Sequence, residues 1–344
     1  MFKISVVIPT LNRASLLART LDHVEGQSLS RDHYEVIVVD NNSSDDTPSL
    51  LDQKSGTFRN LKFAVQRKPG AAAARNTGLG MASGDILLFI DDDIEADPLL
   101  LESHLAHHRD NPHSSIIGAI RTRWENTRDP FLRYLRDRRV FNPYSVRSDS
   151  IDFSYYHTGN VSSSRGMLVE EGGFDEQFAV YGMEDIELGY RLEKRGCRMV
   201  QGVDAVAIHH YSPTYDEFTE RCQQAGYSLG LMLRLHPELR ERFTENGRMT
   251  KVLKPLHRLY SFAAPLIQPV CRSLAHLDEK RGTGRVTPAL GFHYDWALRY
   301  YFFLGYSRYG SNGHSKPRVM VDQVVDELKV EKPSSKVHSG SLVP

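Results

Sequence analysis

The sequence predicts an α/β fold, a mostly parallel sheet flanked by helices, with a helical C-terminal addition. Three observations carry this. Short apolar runs alternate with helical patterns through the first half of the chain. Acid-rich segments stand where the apolar runs end, as at Asp91-Asp92-Asp93 after Phe89-Ile90. Beyond Pro213 the alternation gives way to an amphipathic helical pattern cut by prolines.

The elements follow in order. Lys3 to Pro9 and Tyr34 to Asp40 are the first two strands, and Leu61 to Gln66, Asp85 to Ile90 and Ser115 to Thr122 supply further ones. Between the first two, Asn12 is positioned to cap a helix that carries Leu16, Leu17, Leu21 and Val24 on one face and ends near Gly26. Further helices span Gly70 to Ala82 and Pro98 to Asn111. From about Asp129 to Phe174 the alternation weakens, with one helix, a break at Pro143 and a short strand around His157 to Ser163. A helix from Glu184 to Arg195 is ended by Gly196, and apolar Val203 to Ile208 leads into His209 and His210. The α/β unit is expected to span residues 1–211, divided near 123. A helical region follows over 212–310, its later part cut by Pro237, Pro255, Pro265, Pro269 and Pro288, and a Ser-, Lys-, Gly- and Pro-rich tail, expected to be flexible, fills 311–344.

Composition narrows the function classes. Of 344 residues 40% are apolar and 25% charged, and 43 basic residues balance 43 acidic ones, so no nucleic-acid partner is expected. Cys197, Cys222 and Cys271 form no close pair, which favours a reducing compartment and the cytosolic side. The apolar start from Phe2 to Leu11 is too short for a signal peptide and reads as a buried strand. No apolar run approaches the ~20 residues of a membrane-spanning helix, so any membrane contact is expected to be peripheral.

The acids after Ile90 point at a site, because ligands of open α/β sheets bind outside the carboxyl ends of the strands. Residues two apart on a strand share a face, which would bring Asp91 and Asp93 together at an exposed strand end. Their repulsion would be relieved by a divalent cation, Mg²⁺ or Mn²⁺, held by one or two carboxylates plus substrate phosphates. The plainer alternative is a solvated turn leading into the next helix.

Four separated segments occur in a telling order. They are Val6-Val7-Ile8-Pro9-Thr10-Leu11-Asn12-Arg13, the Asp40-Asn41-Asn42-Ser43-Ser44-Asp45-Asp46-Thr47 stretch, Pro69-Gly70 with Ala74-Arg75-Asn76, and Asp91 to Asp93. Together they resemble the nucleotide-binding half of a family 2 glycosyltransferase, and the resemblance covers most of residues 1–210. It implies the GT-A fold, a Rossmann-like mixed sheet that binds a nucleotide sugar. Carried onto this sequence, it implies a donor site of Pro9, Thr10, Asn12, Arg13, Asp40, Asn42, Gly70, Arg75, Asp91 and Asp92. Asp40 can accept from a nucleobase imide or a ribose hydroxyl, and Gly70 permits close backbone approach at a helix start that favours anions. Asn42 and Asp45 also read as turn formers in a loop full of them.

The later segments Thr158-Gly159-Asn160, Gly172 to Glu176 and Gly182-Met183-Glu184-Asp185 are similar to the acceptor region of the same family. The resemblance makes Asp185 the general base with Glu184 next in line, and Gly159, Asn160 and Glu184 acceptor contacts. By themselves, Glu184 and Asp185 are ordinary acids of a first helical turn. His104, His107 and His108 share helical spacing but no zinc pattern, and read as surface residues. His209 or His210 resembles a position that completes the metal shell with Asp93 and Asp91, and His209 is preferred.

The reaction implied is displacement at an anomeric carbon, inverting, with a divalent metal on the diphosphate of a UDP-linked donor and a saccharide or lipid-linked hydroxyl as acceptor. A sugar-1-phosphate nucleotidyltransferase would open with a Gly-rich loop, which Thr10-Leu11-Asn12-Arg13 is not. A non-catalytic carbohydrate-binding scaffold would have no need of Asp40, Asp93 and Asp185 together. Near the end, Phe292, Trp296, Tyr300, Tyr301, Phe303 and Leu304 crowd one segment with Arg299, Arg308, Lys316 and Arg318 nearby. This suits packing on the α/β unit or contact with an anionic lipid surface.

Overall fold

The computed structural model describes residues 3–124, 128–137, 151–210, 212–244 and 288–311, with isolated positions between 270 and 286. In chain order the elements are β1 (Ile4–Thr10), α1 (Ala14–Glu25), β2 (Tyr34–Asp40), α2 (Thr47–Ser55), β3 (Leu61–Val65), α3 (Ala71–Met81), β4 (Ile86–Ile90), β5 (Ile94–Ala96), α4 (Leu100–Asp110), β6 (Ser114–Arg123), α5 (Pro130–Asp137), β7 (Asn160–Ser164), α6 (Arg165–Glu170), α7 (Glu184–Lys194), β8 (Arg198–His210), α8 (Tyr215–Leu235), α9 (Arg240–Thr244) and α10 (Pro288–Ser311). The Pro143 break, the prolines at 255, 265 and 269, Cys271 and the tail after Ser311 lie outside the described residues.

One eight-stranded sheet has the order β3-β2-β1-β4-β7-β6-β8-β5. The β3-β2-β1-β4 half is parallel, β6 and β8 are parallel, and β7 and β5 run against their neighbours. The apolar runs are strands buried on both faces. Val6, Ile8, Val36, Val38, Leu88 and Ile90 pack with Leu17, Leu21 and Val24 of α1, Leu51 of α2 and Leu100 and Leu101 of α4. The alternate residues Val7, Ile37, Val39, Leu87 and Phe89 pack on the opposite face with α3, α7 and α8. Burial of apolar surface on both faces, at about 25 cal/mol per Å² removed from water, is what holds this layered arrangement.

The helix caps depart from expectation in one place. Asn12 does not cap α1, because it stands at φ 54° and turns its side chain away. Its Oδ1 accepts from the Ser44 N–H at 2.7 Å, its own N–H donates to Ser43 Oγ at 2.8 Å, and Asp45 from the neighbouring loop accepts from the Ala14 N–H instead. The loop after β2 thus closes over the start of α1. The spacing missed α2, α6 and the three-residue β5, all too short for a strong periodic signal.

The helical addition rests on a close crossing of α8 and α10. α8 starts with a capping box in which Glu217 N–H donates to Thr214 Oγ1 and Thr214 N–H to Glu217 Oε2. Glycines let the two backbones meet: a Cβ on Gly226 would lie 1.9 Å from the Phe302 carbonyl oxygen, and one on Gly305 would lie 1.8 Å from that of Gln223. The aromatic segment divides between two environments. Tyr294 and Phe303 are buried, Tyr294 against Phe131 and Tyr134 of α5, while Phe292 is 64% exposed. Gly305→Val should force α10 off α8 and lower the stability to urea by about 1–3 kcal/mol, the usual scale of overpacking. An unchanged unfolding midpoint would show that this crossing does not hold the helices together.

Candidate active site

The carboxyl ends of β1, β2 and β4 lie side by side, since β1 is between the other two and all three are parallel. β4 ends at Ile90, and the chain turns through Asp92 and Asp93 before entering β5. Strand alternation stops there, so the expected pairing of Asp91 with Asp93 on one face is replaced by another grouping. Arg13 Nη1 donates to Asp92 Oδ1 at 2.7 Å and to Asp93 Oδ2 at 2.9 Å, and Thr10 Oγ1 donates to Asp92 Oδ2 at 2.7 Å. Asp91 pairs instead with Arg75 Nη2 at 3.3 Å.

The reading of these acids as exposed strand-end residues also fails. Asp92 and Asp93 are each only 4% exposed, and two adjacent buried carboxylates are tolerable only with opposite charge against them. Burial pushes Asp92 up to about 6, against the pull of Arg13. Asp93 feels the same burial, but His209 and Arg13 outweigh it and hold its carboxyl below the ordinary value. Asp93 Oδ1 is 3.1 Å from His209 Nε2, whereas His210 turns its Nε2 to Glu95 Oε2 at 2.7 Å, as successive strand residues face opposite sides.

Among the described residues, no group of three or more His, Cys, Asp and Glu side chains is arranged to hold a metal ion. Two converge, Asp93 and His209: the carboxylate, with diphosphate and water, suits Mn²⁺ or Mg²⁺, and an imidazole beside it favours the softer Mn²⁺ of the two. Asp91 does not join them while it is paired with Arg75.

Arg75 joins the two halves of the site. It is buried on α3, and its Nη1 donates to Glu184 Oε1 at 2.9 Å while its Nη2 reaches Asp91 and its Cζ lies 5.7 Å from the centre of the Phe174 ring. Asn76 beside it holds the Gly172 to Glu176 turn in place, accepting from the Phe174 N–H and donating to the Phe174 carbonyl. Glu184 opens α7 and is nearly fully buried; its Oε2 has no hydrogen-bond partner among the described residues. Burial, then the charge of Asp185, push Glu184 up to about 7 against the pull of Arg75. Asp185 accepts from the Ile186 N–H at 2.8 Å and lies 3.6 Å from His157 Nδ1. Burial raises it, but His157 and Arg75 prevail and keep it below the ordinary carboxylate value. Two neighbouring acids whose environments drive them apart form the pattern from which acid and base roles can be assigned.

The other candidate residues are placed as follows. Asp40 is buried, and its Oδ1 accepts from the Ser43 N–H at 2.9 Å, while Asn42 takes the left-handed turn conformation at φ 67°. Pro9 pairs with Val39 within the sheet. Gly70, at φ 113°, gives its N–H to Asn41 Oδ1, and the backbone it lets approach is the chain's own, since a Cβ there would lie 3.1 Å from Ala179 Cα. Gly159 borders Asp91, a Cβ there falling 3.4 Å from Asp91 Oδ2. Asn160 has no side-chain group left for an acceptor: it is 1% exposed, its Nδ2 donates to Ala119 and Ala205 carbonyls and its Oδ1 faces His104. Of the three histidines read as surface residues, His104 is fully buried and His108, half-buried, bonds Ser162, while His107 lies at the surface against Asp204. His157 was not singled out by the sequence, in which nothing ties it to Asp185.

The family description "Glycosyl transferase family 2" matches residues 5–170. A validoxylamine A glucosyltransferase from Streptomyces hygroscopicus subsp. jinggangensis is 32% identical over 225 residues, covering 57% of this chain and 52% of that protein. A chondroitin synthase from Escherichia coli is 27% identical over 291 residues, covering 75% of this chain and 42% of that protein. The chain thus spans about half the length of the curated relatives it matches. Among solved structures, S. aureus TarS 1-349 in complex with UDP-GlcNAc superposes with a TM-score of 0.56 at 16% identity, covering 90% of this chain and 92% of that one. The mannosyltransferase PcManGT from Pyrobaculum calidifontis, in complex with GDP-Man and Mn²⁺, gives 0.51 at 18% identity, covering 96% and 81%. The fold is the GT-A fold, with helices appended at its C-terminal side.

The divergence of Glu184 and Asp185 has a measurable consequence. A carboxyl raised from 4.5 to about 7 in the folded chain contributes stability that is fully present below 4.5 and is lost as pH rises through about 7. Glu184→Gln removes that contribution, so the dependence of urea stability on pH between these values should flatten in the variant. An unchanged slope would mean that Glu184 is ionised throughout this range.

Proposed function

From the match of residues 5–170 to glycosyl transferase family 2, we propose that the chain transfers a hexose from a UDP-linked donor to an acceptor hydroxyl with inversion. The observation that carries this reading is the single buried Arg75 spanning Asp91 on the donor side and Glu184, neighbour of Asp185, on the acceptor side. One donor-side acid and the neighbour of the candidate base are thereby held by one guanidinium. The bond from the anomeric carbon to the diphosphate oxygen breaks as the acceptor oxygen bonds to the same carbon, and Asp185 takes the hydroxyl proton. Asp185 suits that role because its carboxyl, beside His157, is held below the ordinary value and so favours the proton-accepting form.

Asp93 and His209 are the residues that would hold a divalent cation, Mn²⁺ or Mg²⁺, with Asp91 joining only on release from Arg75. Such an ion, when bound, stabilises the charge that develops on the leaving diphosphate. Asp40, with Thr10 and the loops of Asn12 and Asn42, borders the nucleoside end of the site in this reading. The complexes of TarS with UDP-GlcNAc and of PcManGT with GDP-Man and Mn²⁺ support the donor class and the metal. The glucosyltransferase and chondroitin synthase relatives support a saccharide acceptor in polysaccharide or glycoconjugate synthesis. Residues 1–211 would act as the catalytic unit, with 212–310 appended to it.

A panel of nucleotide sugars incubated with Mn²⁺ tests this directly. Release of free nucleoside diphosphate, greatest for UDP-sugars and lost in chelator, is the expected result. Pyrophosphate release would point to a nucleotidyltransferase, and no release from any donor would leave a binding scaffold. Asp185→Asn keeps size and the bond from Ile186, and should lower transfer by about two or more orders of magnitude with donor affinity kept. Collapse of donor affinity would place Asp185 on the donor side and return Glu184 as the base.

For the acceptor, a lipid-linked saccharide is the second reading, favoured by the outer face of α10. Phe292 is exposed there, its ring 5.8 Å from that of Trp296, and Arg299 stands exposed one turn on. Lys316 and Arg318 lie outside the described residues. Among the described residues no helix is long and apolar enough to cross a membrane, so contact would be peripheral. Flotation with anionic vesicles at low salt, reduced by Phe292→Ser with Arg299→Glu, is expected. A chain that stays off the vesicles would remove the lipid surface from this proposal.

A further inference from the structure

The end of β8 is not in simple register with its neighbour. Gly118 of β6 pairs with Gly202, but the next residue, Ala119, pairs with Val206, so Val203, Asp204 and Ala205 form an inserted bulge. Without it Val206 would stand opposite Thr122; with it His209 does, and His209 also falls opposite Ile94 of β5, beside Asp93. The bulge therefore decides which residue of β8 reaches the acid cluster.

An insertion of this kind breaks the ladder and leaves carbonyls to be satisfied. Asn160 satisfies them: its Nδ2 donates to the Ala205 carbonyl at 2.9 Å and to the Ala119 carbonyl at 3.2 Å, one on each side of the break. Gly118 makes room for the amide, since a Cβ there would lie 2.2 Å from Asn160 Nδ2. With both amide protons used, Oδ1 must face His104 Nε2, 2.9 Å away, as an acceptor. His104 then carries its proton on Nε2, and its Nδ1 accepts from Ser162 Oγ at 2.8 Å, which in turn accepts from His108 Nε2 at 2.8 Å. The chain of donors closes only with a neutral His104, which its burial enforces. His107, on the same helix, holds the tip of the bulge through Asp204 Oδ1 at 2.5 Å. Of the histidines of α4, His107 thus meets the insertion directly and His104 through Asn160, while His108 supports His104 through Ser162.

We infer that Asn160, locked by His104 and filling the break between β6 and β8, is a positioning residue that delivers His209 to Asp93. It acts at a distance from the reacting atoms. The consequence for metal affinity rests on His209 being a metal ligand, as proposed above; the geometric role does not.

Hydrogen exchange of the metal-free chain reads the geometric role. The His210 N–H donates to the Asp93 carbonyl and the Asp97 N–H to the Val206 carbonyl, so both report the register of the end of β8. Asn160→Leu should speed exchange of these two amides about tenfold or more while amides of β1 to β3 keep wild-type rates. His104→Phe should act in the same direction, and His104→Gln, which keeps a donor toward Asn160, should restore much of the protection. Unchanged exchange at His210 and Asp97, or an equal increase throughout the sheet, would overturn the proposal. Mn²⁺ affinity in the presence of UDP reads the consequence: Asn160→Leu and His209→Ala should each weaken it several-fold, and the double variant should be no weaker than His209→Ala alone. Additive losses would show that Asn160 does not act through His209. If His209→Ala leaves Mn²⁺ affinity intact, the assignment of His209 to the metal falls, and the exchange experiment still judges the positioning role.

Discussion

Everything at the carboxyl end of the sheet depends on keeping a cluster of buried acids compatible with one another. Asp92 and Asp93 lie almost wholly inside the chain, and Glu184 is buried with them. Removing such groups from water costs several kcal/mol per ion unless opposite charge and hydrogen bonds offset it. Arg13 and Arg75 provide that offset in two separate places, Arg13 across Asp92 and Asp93, and Arg75 across Asp91 and Glu184. Each arginine reaches across from an element distant in sequence, so the site exists only when β1, α3, β4 and α7 are all in place.

This arrangement also separates roles. Of the two acids that open α7, the one against Arg75, with an oxygen that has no partner among the described residues, is pushed toward holding a proton, and the one beside His157 is held below the ordinary carboxylate value. Beyond β4, Asp92 is braced by Thr10 and Arg13, while Asp93 faces His209. Chemically similar residues, adjacent in sequence, thus come to differ through what the rest of the fold places beside them. A cation that bound Asp93 would compete with Arg13 for it, since both draw on the same buried charge.

Much of the fold was legible in the residues. The apolar runs at β1, β2 and β4 are strands within a residue or so of expectation, because a strand buried on both faces must be continuously apolar. The α7 helix and its end at Gly196, where φ is 88°, follow from turn chemistry that local sequence carries. Short elements escaped, as did anything depending on register. Asn160 looked like an acceptor contact beside Gly159, and became a plug in the sheet because a bulge in β8 and a glycine in β6 brought two backbone carbonyls to it. Periodicity placed His104, His107 and His108 on one helix, but the face toward which they point is set by the packing of α4 on the sheet.

By itself, then, the sequence determined the α/β architecture, the acids at strand ends and the segments of the family pattern, since hydrophobic period and turn-forming residues act over a few neighbours at a time. Only the tertiary structure decided which acid meets which cation. Arg13 with Asp93, Arg75 with Glu184, His157 with Asp185 and His209 with Asp93 are separated along the chain by tens of residues or more. Such pairings, and the protonation of each carboxyl that follows from them, arise from distance and burial, which appear only when the strands are laid in register and the helices close over them.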